Sequence, residues 1–279
     1  MNGILIVNKD VGYTSRDVVN QLTHIFNTKK IGHTGTLDPI ASGVLVITIG
    51  KYTRLCETLT SEYKEYVAEF IIGKSSDTLD ITGNIINELN VTIDKDTILN
   101  VINSFKKEYL QEVPIYSAVK INGKKLYEYA RNNESVELPK RMVDIKEIEV
   151  LDINDNVVTF KCLVSKGTYI RSLIRDIGDA LNVPTCMKSL VRTKQGSFKI
   201  EDSYTIDDIK NNNYKVLDIN DVLDMDTIIV DDELYKKVYN GAKLDLNIAC
   251  KPFILFKYNN MEVAIYKRSE DKYRMFIKF

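Results

Sequence analysis

Tryptophan is missing from the 279 residues, and histidine nearly so, with only His24 and His33. Two histidines leave no material for a histidine-rich metal site and little for a Ser-His-Asp relay. Cysteine is sparse as well: Cys56, Cys162, Cys186 and Cys250 stand singly, with no Cys-x-x-Cys pair. That scatter argues against a zinc site or a disulfide framework and favours reduced, buried thiols. Neither a Gly-x-x-x-x-Gly-Lys-Ser/Thr loop nor a Gly-x-Gly-x-x-Gly turn occurs, which disfavours nucleotide cofactors. No apolar stretch approaches the roughly 18 residues of a membrane span. The opening residues, Met1 to Lys9, lack the basic start and cleavage site of a signal peptide. The expectation is a cytoplasmic protein without membrane, metal or cofactor. If it is an enzyme, carboxylate, tyrosine and arginine carry its chemistry.

What is present begins with charge. Hydrophobic residues make up 44% and charged residues 28%, ordinary proportions for a globular chain. The length suits one large domain, or a large domain with a small one. The net charge of −1 conceals a segregation: residues 201–233 hold eleven carboxylates and two lysines, while residues 234–279 hold ten lysines and arginines and four carboxylates. A basic tail suits a nucleic acid or another polyanion; a solvated charged face would have the same composition.

Hydrophobic periodicity predicts strands at residues 3–8, 44–49, 63–72, 116–121, 143–153 and 157–164, and three short ones at 253–258, 261–266 and 273–279. It predicts helices after a Thr14 or Ser15 cap (Val18, Val19, Leu22, Phe26), over 94–107 (Ile98, Val101, Ile102, Phe105) and over 169–181. Residues 111–140 read as an irregular insertion with a short helix near 124–131, and 201–233 as a connecting region. Strands and helices do not alternate regularly, so a doubly wound parallel sheet is disfavoured. An α+β main domain with a mixed, mostly antiparallel sheet flanked by helices fits better, followed by a small β-rich C-terminal domain.

The most informative segment is residues 32–45, where three glycines, two threonines and a serine surround one carboxylate, Asp38. Glycines allow close backbone approach to a ligand, and small hydroxyls bond it without filling the space. A plainer reading makes Asp38 a turn cap before Pro39. Arg171 sets a second constraint. It falls in the first turn of the third helix, where a cation meets the positive end of the helix dipole at a cost of about 0.3–1 kcal/mol. A buried carboxylate facing that turn converts the cost into a gain, and a bidentate pair would fix its orientation. Tyr66, on a strand, is either core or a flat platform for a base with a phenol for proton transfer.

Gly32-His33-Thr34-Gly35-Thr36-Leu37-Asp38-Pro39, Lys64-x-Tyr66 and Ser165-Lys166-Gly167-Thr168-Tyr169-Ile170-Arg171 resemble, in order and spacing, the signature motifs of the TruB-type tRNA pseudouridine synthases. Asp77-Thr78-Leu79-Asp80 with Gly83, Tyr116-Ser117-Ala118 with Lys120, Gly123, Leu126 and Tyr127, and Leu190-x-Arg192-Thr193 with Gly196 and Phe198 extend the resemblance from about residue 3 to 200. Gly-Thr-Leu-Asp, rather than Gly-Arg-Leu-Asp, separates this branch from the large-subunit rRNA synthases. The family's usual Lys-Pro near the N-terminus is Lys9-Asp10 here.

The resemblance implies a cofactor-free isomerase that flips the T-loop uridine at position 55 of tRNA out of its stack and rebuilds it as pseudouridine. It implies a pseudouridine synthase fold over residues 1–225, a mobile thumb at 111–140 and a small PUA-like RNA-binding domain at 226–279. Asp38 becomes the catalytic carboxylate, Arg171 its ion-pair partner and Tyr66 the ring stacked on the base. Leu190 lines the pocket and His33 contacts the T loop. Gly35, Thr36, Leu37, Lys64 and Tyr169 complete the implied substrate-binding set. The implied partner is the T arm of tRNA, met by a monomer that needs no protein partner. The alternatives are a non-catalytic tRNA-binding or tRNA-folding chaperone using the same groove, and a synthase working inside a guide-RNA particle.

Overall fold

The computed structural model describes residues 1–60, 62–246 and 251–279. The chain opens with β1 (Gly3–Lys9), α1 (Ser15–Ile25), β2 (Ile31–His33), β3 (Ala41–Ile49), α2 (Cys56–Thr60) and β4 (Lys64–Ile72). A hairpin, β5 (Lys74–Ser76) and β6 (Ile85–Glu88), leads to α3 (Lys95–Ser104) and β7 (Glu108–Glu112). The insertion after it carries β8 (Lys120–Ile121), β9 (Lys124–Lys125) and α4 (Leu126–Arg131). Then come β10 (Lys140–Asn154), β11 (Val157–Val164), α5 (Ile170–Leu181), β12 (Thr185–Gln195), β13 (Phe198–Lys199) and α6 (Ile206–Lys210). The chain closes with β14 (Met225–Ile229), α7 (Asp232–Tyr239), β15 (Phe253–Tyr258), β16 (Met261–Ser269) and β17 (Lys272–Lys278).

Nine strands form the central sheet in the order β1-β3-β12-β4-β11-β10-β7, with β2 on β3 and β13 on β12. It is antiparallel except where β12 runs parallel to β3, pairing Leu190 with Ala41 and Arg192 with Gly43. Gly43 has φ +100°, and a Cβ there would lie 2.2 Å from the Arg192 carbonyl oxygen, so only glycine permits this crossing. The apolar runs Ile4–Val7 and Val44–Ile47 lack strand alternation because both faces are covered. Leu5, Val7, Leu45 and Ile47 pack with α1 and Ile209. Ile4, Ile6, Val44 and Val46 share a core with Phe253, Leu255, Ile265 and Ile277 of the second sheet, ordered β14-β15-β16-β17. Helices α3 and α5 cover the β4, β10 and β11 portion of the central sheet. Thr14 caps α1: its hydroxyl accepts the Asp17 amide at 3.1 Å, and the Asp17 carboxylate accepts the Thr14 amide at 2.9 Å.

Three sequence expectations need correction. Residues 116–121 are not a strand; only Lys120–Ile121 pairs, in a two-stranded hairpin. The backbone there bonds elsewhere: the Tyr116 carbonyl accepts from Arg171 and the Ser117 carbonyl from Tyr127. Strand β12 was not anticipated. Its Lys188, Ser189, Arg192 and Lys194 interrupt the apolar signal, and two register shifts, between Met187 and Ser189 and between Arg192 and Lys194, break the twofold period. The acidic connecting region contains β14, which lies parallel to β15. Cys162 and Cys186 are buried and Cys56 half-buried, all three free; Cys250 lies outside the described residues. Among the described residues, no helix is long and apolar enough to cross a membrane.

The shared core yields a prediction. Each fully buried aliphatic side chain contributes about 1.5–3 kcal/mol, against total stabilities of about 5–15 kcal/mol. Truncation after Glu233 uncovers Ile4, Ile6, Val44 and Val46 together, so the shortened protein should melt far below the full chain or bind apolar dyes as a loosened state. Thermal melts of the two forms, side by side, check this; equal melting temperatures would contradict the shared core.

Candidate active site

Asp38 lies in the loop between β2 and β3, and three backbone anchors fix its position. The Leu37 amide donates to Ser15 Oγ at 2.8 Å, the Gly12 amide to the Pro39 carbonyl at 2.8 Å, and the Ala41 amide to the Asp38 carbonyl at 3.0 Å. Leu37 is buried, so the neighbouring carboxylate is directed outward, and Asp38 remains 38% exposed. No helix follows Pro39, which removes the turn-cap reading in its helical form.

Arg171 approaches from the first turn of α5 and is 5% exposed. Its Nη2 lies 2.8 Å from Asp38 Oδ2 and donates to the Tyr116 carbonyl at 3.0 Å. Nη1 donates to the Thr78 carbonyl at 3.0 Å and lies 3.8 Å from Asp80 Oδ2. The guanidinium therefore does not clasp Asp38 with both arms. One arm faces Asp38, and the other faces a second, buried carboxylate. Asp80 is fixed in turn: its Oδ1 accepts the Thr78 hydroxyl at 2.9 Å and the Thr82 amide at 3.0 Å. The sequence motif contained Asp80, but nothing in the spacing indicated which residue it would face.

Asp38 and Arg171 open onto a cavity of about 470 Å³. Gly35, Thr36, Leu37, Lys64, Tyr66, Tyr169 and Leu190 line it together with Asp38 and Arg171. His33 does not; it sits on β2, paired with Ile47, and its Nδ1 is buried without a partner. Tyr66 comes from β4, flanked by Cys162 of β11 and Arg192 of β12. Arg141, which the sequence reading did not name, lines the cavity too, as do Lys166 and Arg192, which it placed in motifs without giving them a role. Arg192 is fully enclosed, donating from Nε to the Val44 carbonyl at 2.6 Å and from Nη2 to the Gly35 carbonyl at 3.2 Å. It thereby holds the loop that carries Asp38. Its strand is among those the apolar pattern does not reveal.

The cavity is strongly cationic. Among the described lining residues Asp38 is the sole carboxylate, set against Lys64, Arg141, Lys166, Arg171 and Arg192. Among the described residues, Lys64 Nζ bonds the Thr60 and Glu62 carbonyls, at 2.9 and 2.8 Å. Burial, reinforced by Arg192 and Lys166, pushes its pKa down to about 8. Lys9, fully buried behind the Asp38 loop, is likewise lowered to about 8 by burial, opposed mainly by the Asp38 charge. Burial pushes the Tyr169 phenol up and the His33 imidazole down. A half-exposed carboxylate held by a buried arginine, in a cavity lined by a tyrosine ring and several cations, suits a polyanionic substrate with one uncharged reacting group.

The same arrangement of chain occurs in solved structures. A Cbf5–Nop10–Gar1 complex matches with a TM-score of 0.70 at 26% identity, covering 99% of this chain and 84% of that one. An H/ACA RNP bound to a substrate RNA containing 2′-deoxyuridine matches at 0.68 and 25% identity, with the same coverage. Similarity of this extent sets the class of the fold, that of the pseudouridine synthases. Sequence narrows it. The N-terminal domain of the TruB family pseudouridylate synthases matches residues 23–170, and the tRNA pseudouridylate synthase B C-terminal domain matches residues 171–230. A tRNA pseudouridine synthase B from Listeria welshimeri is 41% identical, covering 98% of this chain and 95% of its own length. One from Caldicellulosiruptor saccharolyticus is 39% identical, with 100% and 98% covered. The chain belongs to the TruB family.

Two predictions follow from the electrostatics. Arg171→Lys keeps one charge but cannot face Asp38, Asp80 and two carbonyls at once, so turnover should fall by about 10²-fold or more despite the retained cation. A lysine variant as fast as the parent in single-turnover assays would contradict the divided fork. The second concerns pH. Because the folded pKa of Lys64 lies below its unfolded value, native protein releases that proton first, and stability rises between about pH 8 and 10.5. The contribution is at most about 1.4 kcal/mol per pH unit. Lys64→Met removes it, so denaturant melts of wild type and variant should diverge as pH rises from 8 to 10; parallel curves would refute it.

Proposed function

We propose that the protein isomerises the uridine at position 55, in the T loop of tRNA, to pseudouridine, with Asp38 as the reacting carboxylate. The observation that carries this reading is the isolation of Asp38: among the described residues it is the cavity's one carboxylate, held by Arg171 and left exposed. The reaction balances within the substrate. The C1′–N1 bond breaks, a C1′–C5 bond forms, C5 loses a proton and N1 gains one. It requires no redox partner and no group donor, which agrees with a cavity built of carboxylate, phenol and cations. Relatives that share most of the chain's length carry the name tRNA pseudouridine synthase B, which supports tRNA as the substrate.

Asp38 touches the reacting nucleotide, and Arg171, 2.8 Å from its Oδ2, keeps the carboxylate aimed. Tyr66 offers its ring as the platform for a base taken out of its stack. Leu190 closes the apolar side. Lys64, Arg141 and Lys166 face the phosphates, Gly35, Thr36, Leu37 and Tyr169 line the nucleotide's path, and His33 meets the T loop outside the cavity. The insertion of residues 111–140 closes over the RNA as a thumb. Residues 226–279 serve as a small PUA-like module gripping the tRNA away from the reacting base. The protein works in the cytoplasm as a monomer without a protein partner.

Asp38→Asn tests the assignment. The amide preserves shape but is a far poorer nucleophile or base, whereas affinity rests on phosphate and shape contacts. Incubation with an unmodified tRNA transcript, followed by pseudouridine mapping, should show no product for the variant and a single modified T-loop position for the wild type. Binding of the transcript should stay within a few-fold. Product at a normal rate from Asp38→Asn would overturn the role. Wild-type binding without any product would favour a tRNA-folding chaperone.

A further inference from the structure

Helix α5 begins without a cap of its own, since the side chain of its N-cap residue, Tyr169, makes no capping bond. The amides at a helix start need partners from outside. The Tyr169 amide finds one in Gln111, the fourth residue of β7, whose Oε1 accepts it at 2.8 Å. Gln111 is 1% exposed and its orientation is unambiguous, because a backbone N–H can only donate. Its Nε2 donates to the Tyr109 hydroxyl at 2.6 Å, and that hydroxyl donates to Asp176 Oδ2 on the second turn of α5 at 3.0 Å. Gln111 is thus wedged between the start of the helix and its next turn.

We propose that Gln111 is a positioning residue for the active centre: its side-chain oxygen fixes the backbone from which Tyr169 and Arg171 project, and so sets the distance between Arg171 and Asp38. The inference rests on the reading of Asp38 as the reacting carboxylate. The geometry separates this role from simple anchoring of the insertion. The next residue, Glu112, ties the insertion to α5 independently: its carbonyl accepts the Ser172 hydroxyl at 2.8 Å and its carboxylate pairs with Arg175 at 3.1 Å. Those ties survive any change at Gln111. What is lost is the acceptor for one half-buried amide, two residues before Arg171. From there the chain runs five residues on to Tyr116, whose carbonyl returns to Arg171 Nη2. The path from Gln111 to Arg171 is therefore closed at both ends, and slack at Gln111 is felt at the guanidinium.

The test uses the full-length protein with excess enzyme over an unmodified tRNA transcript, so that the observed rate is that of bound substrate. Gln111→Leu should slow conversion by about 10- to 100-fold, the range that a displacement of about 1 Å produces. Its affinity for the transcript should change by less than about threefold, because phosphate contacts dominate binding. Tyr109→Phe, which leaves the Gln111–Tyr169 bond intact, should stay close to wild type. If Gln111→Leu melts below the assay temperature, Gln111→Asn, one methylene too short to reach, replaces it with the same expected loss. A Leu or Asn variant converting at the wild-type rate would overturn the proposal. So would an equal loss in Tyr109→Phe, since that would mark a merely structural strap. Wild-type protein that forms no pseudouridine refutes the reading of the site and takes this proposal with it; an active wild type beside an equally active Leu variant refutes Gln111 alone.

Discussion

An unpaired guanidinium buried away from water is unstable, so whatever surrounds Arg171 has to present oxygen to it. Two carboxylates and two backbone carbonyls do so, drawn from three separate segments of the chain besides α5 itself. The loop carrying Asp38, the Asp77–Asp80 turn, the start of the insertion and the N-terminus of α5 are therefore mutually constrained through one side chain. Asp80 takes the larger share of burial and leaves Asp38 the exposed position. That division lets one carboxylate be structural and the other available. Placing the arginine at a helix N-terminus, where the dipole opposes it, is tolerable only because the neighbouring anions outweigh the dipole.

The second organising feature is an excess of cations with little acid to match. Among the described residues Lys64 and Lys9 bond backbone carbonyls, and Arg192 is enclosed by the backbone of β3 and of the Gly35 loop. Such a site is electrostatically incomplete until an anion arrives. Phosphates of a bound nucleic acid would supply it, and the energy stored in crowded positive charge is then released on binding rather than on folding.

The sequence was legible where local pattern and tertiary role coincide. The Gly-rich loop, the first-turn position of Arg171 and the amphipathic faces of α1, α3 and α5 could all be read from spacing, because each is decided by its own residues. Tyr66 and Leu190 could be named but not joined, since the neighbours of a strand residue come from remote strands. The rest was hidden for identifiable reasons. Strand β12 carries buried polar residues and two register shifts, so its period is scrambled. The stretch after Pro114 spends its backbone groups on Arg171 and α4 instead of a ladder. The partner of Asp80 lies 91 residues away, and no local signal encodes that pairing. Gln111 reads as an ordinary polar residue until the amide it serves is known.

The parallel contact of β3 with β12 also has a consequence in time. Its paired residues, such as Ala41 and Leu190, are separated by about 150 positions, and contacts so distant form slowly because a long loop must close first. At synthesis rates of about 5–20 residues per second, Asp38 leaves the ribosome on the order of ten seconds before Arg171. During that interval β1 and β3 can pair, but one of their faces waits for the C-terminal sheet and the free edge of β3 waits for β12. The nascent chain therefore passes through a stage with a bare apolar sheet and an open edge, before any basic cavity exists to hold RNA.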